Sequence, residues 1–485
     1  MTSHWLALDL GAESGRGMLG IFDGERLVLR ELGRFATNRG PEDLGPDGVR
    51  RWDFERIWRE VEALLGLAER EAGGRLSGVG VDSWGVDYGL LDESGRLLAL
   101  PVQYRDDSHA VAMKRVLEAI PRADIWSATG IQFMPFNTLY QLAAVQAREP
   151  ETLRRASRLL MMPDLLHHRL TGGAARTVEA TNASTTQLLD PMSGAWRTDL
   201  LDRIGVPHHF LGPIGTAGAC LGETASGVPV YAPATHDTGS AVVAVPASGE
   251  VNWAFLSSGT WSLLGAERRS PLITDEALAH SFSNEGGVNG TTRFLTNIMG
   301  LWLVQECRRS LTRAGEERSY AELAALAAAA PEGGPVVDAT AQRFLAPKDM
   351  AQEIRAACAE TGQASPETTG ALIRCCLESL ALAYRRKLAG LERLQGAPFA
   401  ALHLVGGGTQ NAVLNQWTAD ACGLPVAAGP VEAAAAGNVL AQMVGAGALS
   451  GWQEARDLCR ASFDVVSYTP TPSAARRWED AYPRD

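Results

Sequence analysis

Asp237 stands in the segment Thr235-His236-Asp237-Thr238-Gly239-Ser240, between an apolar Val-Tyr-Ala-Pro-Ala run and a helix pattern of small residues. A carboxylate in such a place can work as a general base. A hydroxyl that attacks a phosphoryl group sheds its proton as the new P–O bond forms, and a carboxylate within about 3 Å can accept it. Asp237 or Thr238 could instead cap the helix, and the two roles are compatible. A metal site built on His236 and Asp237 is disfavoured, because no second His/Asp set has the required spacing.

Three further segments offer backbone and hydroxyls to a polyphosphate. Asp9-Leu10-Gly11-Ala12-Glu13-Ser14-Gly15-Arg16 places a carboxylate at a strand end, then small residues whose amides can approach phosphate, then a hydroxyl and a cation. A plain β-turn with an incidental Asp accounts for the octapeptide equally well. Ser257-Ser258-Gly259-Thr260 is a comparable turn in the second half; alone, it would read as a Ser/Gly hairpin closure. Val405 leads through Gly406, Gly407 and Gly408 toward a helix, where a flat adenosine could lie on bare backbone or where the glycines simply make a tight connection. The octapeptide Asp9–Arg16 contains neither a Walker A nor a GxGxxG pattern, so a P-loop or Rossmann reading of it loses. Finally, Asp82 and Asp87 flank Trp84 and Gly85 at the end of an apolar strand pattern. Carboxylates beside a ring suit a polyol, although without further context Trp84 reads as core and the aspartates as a solvated turn.

The elements that must hold these residues are legible in outline. Trp5 to Leu10, Gly17 to Phe22 and Leu27 to Leu32 read as three antiparallel strands with a turn at Asp23-Gly24. Phe54, Ile57, Trp58, Val61, Leu64 and Leu65 carry the helical period over 53–70, and Leu76 to Val81 is a further strand, giving βββαβ. A second strand–turn–strand unit at 252–266 repeats the opening device, and Leu402 to Val405 and Pro425 to Ala428 each lead into a helix. The fold class is therefore α/β. The 485 residues exceed what one core sustains, so two domains are expected, 1–245 and 246–485. Ser467 to Asp485 is expected to be a loosely attached end.

Composition excludes more than it selects. With 46% hydrophobic and 21% charged residues the chain is an ordinary globular one. The net charge of −12, with no block of Lys or Arg, argues against nucleic acid, while a single nucleotide can be held by amides and Mg2+. No signal-like or bilayer-length apolar stretch is read, so a soluble cytoplasmic protein is expected. Seven scattered cysteines without CxxC pairs read as buried reduced thiols, with Cys358 and Cys375 on consecutive helical patterns that could face each other.

Together these segments resemble the FGGY carbohydrate kinases over nearly the whole chain. The resemblance rests on VDSWGVDYGLLD (81–92), GIQFMPFNTLYQL (130–142), EATNASTTQLLD (179–190), ATHDTGSAV (234–242), LSSGTWSLLG (256–265), NIMGLWLVQE (297–306) and LHLVGGGTQN (402–411). It implies two ribonuclease H-like, actin-like ATPase domains with a catalytic cleft between them, sugar mostly on the N-terminal domain and ATP mostly on the C-terminal one. It implies phosphorylation of a ketose, L-rhamnulose at its C1 hydroxyl. Another ketose such as L-fuculose or xylulose, or a non-catalytic sugar-binding regulator, is the alternative. By the same resemblance Asp237 accepts the proton, and Gly85, His236, Asp237 and Thr238 contact the sugar; the carboxylate-and-ring pattern adds Trp84 and Asp87 beside it. Ala12, Glu13, Ser14, Gly15, Arg16, Thr260, Asn297, Gln305 and Gly407 contact ATP, and Asp9 holds Mg2+. A monomer or weak homo-oligomer is expected. Two departures stand out: Tyr104-Arg105-Asp106-Asp107-Ser108 lacks a second Arg, and Glu13 replaces a small hydroxyl residue, so its side chain is expected to point away from phosphate.

Overall fold

The computed structural model describes residues 2–248, 252–345 and 347–481. The chain forms two compact units, one of Met1–Ala244, Glu267–Phe294 and Ala433–Phe463, the other of Val245–Ala266, Leu295–Glu432 and Asp464–Asp485. A single sequence boundary near 245 remains a proposal; by packing, 267–294 and 433–463 go with the first unit.

In the first unit β1 (Ser3–Leu10), β2 (Ser14–Phe22) and β3 (Leu27–Ala36) form the antiparallel meander read from the sequence. Alternate burial would leave β1 half polar; instead its last six residues are all buried, because the strand is covered on both faces. The helix α1 (Phe54–Glu71) starts where the Asp53 side chain accepts the Arg56 N–H. It buries Phe54, Ile57, Val61, Leu64 and Ala68 along one stripe. Strand β4 (Gly78–Ser83) then runs parallel to β1. The sheet order is β3, β2, β1, β4, then Pro229–Tyr231 and Cys220–Glu223. His167, on the helix Met162–Leu170, accepts the Val81 N–H through Nε2, and burial lowers its pKa to about 3, so it stays a neutral acceptor.

In the second unit Trp253–Ser258 pairs antiparallel with Trp261–Arg268 and parallel with Ala401–Val405, which pairs parallel with Val426–Ala428. A 27-residue helix, Thr369–Gln395, is opened by Thr368 and closed by Gly396 in the left-handed conformation. Its buried Leu372, Leu377, Leu380 and Tyr384 build the unit's core. Cys358 and Cys375 lie side by side, and Cys307 Sγ lies 3.8 Å from Cys376 Sγ; all seven cysteines are free and Cys220 alone is exposed.

The expected loose end is corrected. Val466–Tyr468 adds an antiparallel strand beside Val426–Ala428, and Pro472–Ala481 is helical. Polar tethers hold it: Thr471 N–H donates to Asp420 Oδ1 at 2.7 Å and Gln416 Nε2 to the Thr469 carbonyl at 3.0 Å. Residues 482–485 lie outside the described residues.

Candidate active site

Three neighbouring parallel strands of the first unit deliver three carboxylates. The β1–β4 register sets Asp9 against Asp82, and Ser83 bridges to His236 just beyond Pro229–Tyr231. Side chains therefore gather at the carboxyl ends of the strands, where open α/β sheets bind ligands. Asp237 begins the helix Asp237–Val243, and its Oδ1 accepts the Thr238 N–H at 2.5 Å and the Thr238 hydroxyl at 3.2 Å. The side chain keeps 31% exposure, so it can be reached by a ligand. Loss of water around it pushes its carboxyl above the usual carboxylate range; adjacent His236 opposes this and Asp9 adds to it. Asp82 is fully buried and raised much further, by burial and then by Asp9, although Asn438 donates to its Oδ2 at 2.5 Å.

Asp9 pairs with Arg16, whose Nε and Nη2 donate to Oδ2 at 3.0 and 2.8 Å. Among the described residues no group of three or more His, Cys, Asp or Glu side chains is arranged to hold a metal ion. The donor set suits a hydrated Mg2+ carried by a nucleotide, which needs one or two protein carboxylates beside phosphate oxygens.

The polyol segment differs from its simplest reading. Asp87 is completely buried and its carboxylate accepts from Trp52 Nε1 (2.7 Å), Trp84 Nε1 (2.9 Å), Gln141 Nε2 (2.8 Å) and the Tyr104 N–H (3.1 Å). Burial raises its pKa to about 6 against these donors. The Trp84 ring packs on Trp52 at 4.3 Å between centroids. Asp87 thus spends its acceptor capacity on holding Trp84 and the Tyr104 loop. Gly85 backs onto Thr185, whose side chain would be 3.0 Å from any added Cβ. Val86, a β-branched residue, sits at φ 67°, where strain persists only if its surroundings impose it. They do: Thr185 Oγ1 accepts the Val86 N–H and Thr138 donates to its carbonyl. Phe133 is covered by Arg122 and Phe136 by Tyr104.

The nucleotide candidates fall on both units. In the first, Gly11, Ala12 and Glu13 turn between β1 and β2, Gly11 N–H donating to the Ser14 carbonyl, and Ser14, Gly15 and Arg16 open β2. Glu13 is drawn to Asn38 (2.7 Å) and Arg105 (2.6 Å), which neutralises the carboxylate that the hairpin would otherwise set against phosphate. In the second, Thr260 and Gln305 meet, Gln305 Nε2 donating to Thr260 Oγ1 at 3.2 Å. Asn297 lies on the strand Thr292–Met299. Gly407 opens a short 3-10 turn after Gly406, whose φ of 88° favours glycine.

Several residues of the site had no assigned role in the sequence. Glu179, buried, accepts from the Thr181 and Thr235 N–H groups and from both hydroxyls, and so pins the loop before Asp237. Glu285, Arg293 and Asn438 were also missed. Glu179 stands in a segment already singled out by the resemblance; the other three carry no local signature.

Residues 4–238 match the N-terminal domain of the FGGY family of carbohydrate kinases, and 254–446 match its C-terminal domain. A rhamnulokinase of Enterobacter sp. (strain 638) is 41% identical over 476 residues, 96% of this chain and 94% of that protein. One from Pectobacterium carotovorum is 43% identical over 475 residues, 96% and 92% of the two chains. Among solved structures, a ligand-bound xylulose kinase from Lactobacillus acidophilus superposes with a TM-score of 0.80 at 14% identity, covering 99% of this chain and 96% of the other. A Plasmodium falciparum glycerol kinase with ADP gives 0.78 at 15% identity, covering 99% and 97%. The solved structures share the two-domain α/β fold, and the sequence matches across nearly all of the chain show that it belongs to the FGGY family of carbohydrate kinases.

Proposed function

We propose that the chain transfers the γ-phosphoryl group of ATP to the C1 hydroxyl of L-rhamnulose, releasing ADP and L-rhamnulose 1-phosphate in the cytoplasm. The observation that carries this reading is Asp237, an accessible carboxylate whose raised pKa makes it a stronger base than an ordinary aspartate. Relatives named rhamnulokinase, above 40% identical across the chain, support the choice of sugar. The acceptor oxygen bonds to the γ-phosphorus, the bond from that phosphorus to the ADP oxygen breaks, and the hydroxyl proton passes to Asp237. Gly85, His236 and Thr238 join Asp237 at the sugar, while Trp84 and Asp87 shape its surroundings through the cluster they form with Trp52. ATP is assigned to Ala12, Glu13, Ser14, Gly15, Arg16, Thr260, Asn297, Gln305 and Gly407. Bound Mg2+, held by Asp9 and phosphate oxygens, would supply charge neutralisation.

The test is ADP release with saturating Mg-ATP and a panel of L-rhamnulose, L-fuculose, D-xylulose and glycerol. The expected result is a kcat/KM for L-rhamnulose at least about 100-fold above each alternative, the discrimination available where buried polar groups would be left unpaired by a wrong sugar. Preference for another panel member would overturn the substrate, and sugar binding without turnover would overturn the enzyme.

A further inference from the structure

His236 is held from behind by a buried ion pair. Its Nδ1 lies 3.2 Å from Glu285 Oε2 and 3.1 Å from Arg293 Nη2, and that same Nη2 is 3.1 Å from Glu285 Oε2. Arg293 is wholly buried, and its Nε donates to the Gly286 carbonyl at 2.8 Å. Glu285, on the strand Ser283–Gly286, is nearly as buried. On the opposite side of the ring, Nε2 stands 3.6 Å from Asp237 Oδ1. The backbone is fixed as well, the His236 N–H donating to Thr181 Oγ1 at 3.2 Å.

A buried ion pair repays the loss of water only when further hydrogen bonds satisfy both ions. Here Arg293 Nη1 has no hydrogen-bond partner among the described residues. The pair is therefore a poor device for stability. Its geometry makes sense as a device for orientation: turning the ring over would set a C–H where Nδ1 now meets Glu285 and Arg293, so the pair selects the orientation that presents Nε2 on the Asp237 side.

We propose that Glu285, anchored by Arg293, is a positioning residue for sugar recognition: it locks the His236 ring so that Nε2 meets an acceptor-sugar hydroxyl beside Asp237. The inference rests on the reading of His236 as a sugar contact. Neither Glu285 nor Arg293 touches the reacting atoms. Their effect is on capture of the ketose rather than of the nucleotide.

Glu285→Gln keeps the side-chain shape and removes the charge. With the ketose that the panel turns over, it is expected to raise the sugar KM about 10- to 100-fold, the range for losing one charge-assisted hydrogen bond. The KM for ATP should stay within about twofold and kcat should fall less than the sugar KM rises, a split that loss of folded protein would not give. In a His236→Ala background the same substitution should change the sugar KM by less than about twofold, because the ring it acts through is gone. An unchanged sugar KM in Glu285→Gln, or an equal effect with and without the ring, overturns the positioning role. An unchanged sugar KM in His236→Ala overturns the sugar-contact reading itself, and the positioning role with it. Should Glu285→Gln not fold, Glu285→Asp, which withdraws the carboxylate by one methylene, is expected to show the same selective rise; equal changes in both KM values would overturn the proposal.

Discussion

Asp237 is subject to two opposed influences. Burial and Asp9 disfavour its charged form, while His236 favours it, and the balance leaves the carboxyl above its ordinary range. Its base form is present only above that raised pKa, so kcat/KM should fall on the acid side at a pH higher than an unperturbed aspartate, near 3.9, would give. Asp237→Asn should lower kcat by roughly 10²- to 10⁴-fold, the usual worth of a general base, and should abolish that acid limb while ATP still binds by calorimetry. A full-rate variant would dismiss the base. Asp237 was legible because its immediate neighbours, Thr235 to Ser240, already form a strand-to-helix segment with a carboxylate at its head. Glu285 and Arg293 were not, because they reach His236 from about 50 positions away and only folding brings them together. Asp87 lies between these cases: its partnership with Trp84 was visible in the spacing, but the direction of its carboxylate, toward four protein donors, depends on Trp52, Gln141 and the Tyr104 loop.

Among the elements, the hairpins and α1 follow from local pattern: the Asp53 cap, the stripe from Phe54 to Ala68 and the polar Asp23-Gly24 turn all point the same way. The packing of the helix Ala433–Gly445 against the helix Asp237–Val243 does not, since nothing near residue 433 names its partner. Their crossing is set by Gly437, where an added Cβ would collide with the Ser240 carbonyl oxygen. That oxygen belongs to backbone and cannot swing aside. Gly437→Ala gains about 1 kcal/mol of helix propensity but costs about 1–3 kcal/mol or more in forced displacement, so the net effect is loss. The expected outcome is a lower Tm by calorimetry together with a lower kcat, because the displaced helix carries Asp237. A raised Tm would show that the contact is loose.

For the whole chain, the first unit is not a continuous stretch of sequence. Asn438 and Gln442, four residues apart, resemble a solvated helix face in sequence, yet both are buried: Gln442 Nε2 donates to the Leu6 carbonyl at 2.9 Å, and Asn438 Nδ2 to the Gly80 carbonyl and to Asp82. The same helix buries Val439, Leu440 and Met443, and farther on Ser462 accepts the Leu27 N–H while the Cys459 thiol reaches the Ala244 carbonyl. A fragment of residues 1–245 would expose β1 and β4 where this segment packs. Three such side chains are worth roughly 5–9 kcal/mol, comparable with the whole net stability of a domain, about 5–15 kcal/mol. That fragment is therefore expected to lack a cooperative unfolding transition and to bind the dye ANS, as loosely packed states do. Joining 433–463 to it through a flexible linker should restore part of the cooperativity, and the restoration should be lost when Val439, Leu440 and Met443 are all replaced by Ser. Cooperative unfolding of 1–245 alone, at the midpoint of the full chain, would mean that the returning segment decorates this unit rather than completing it.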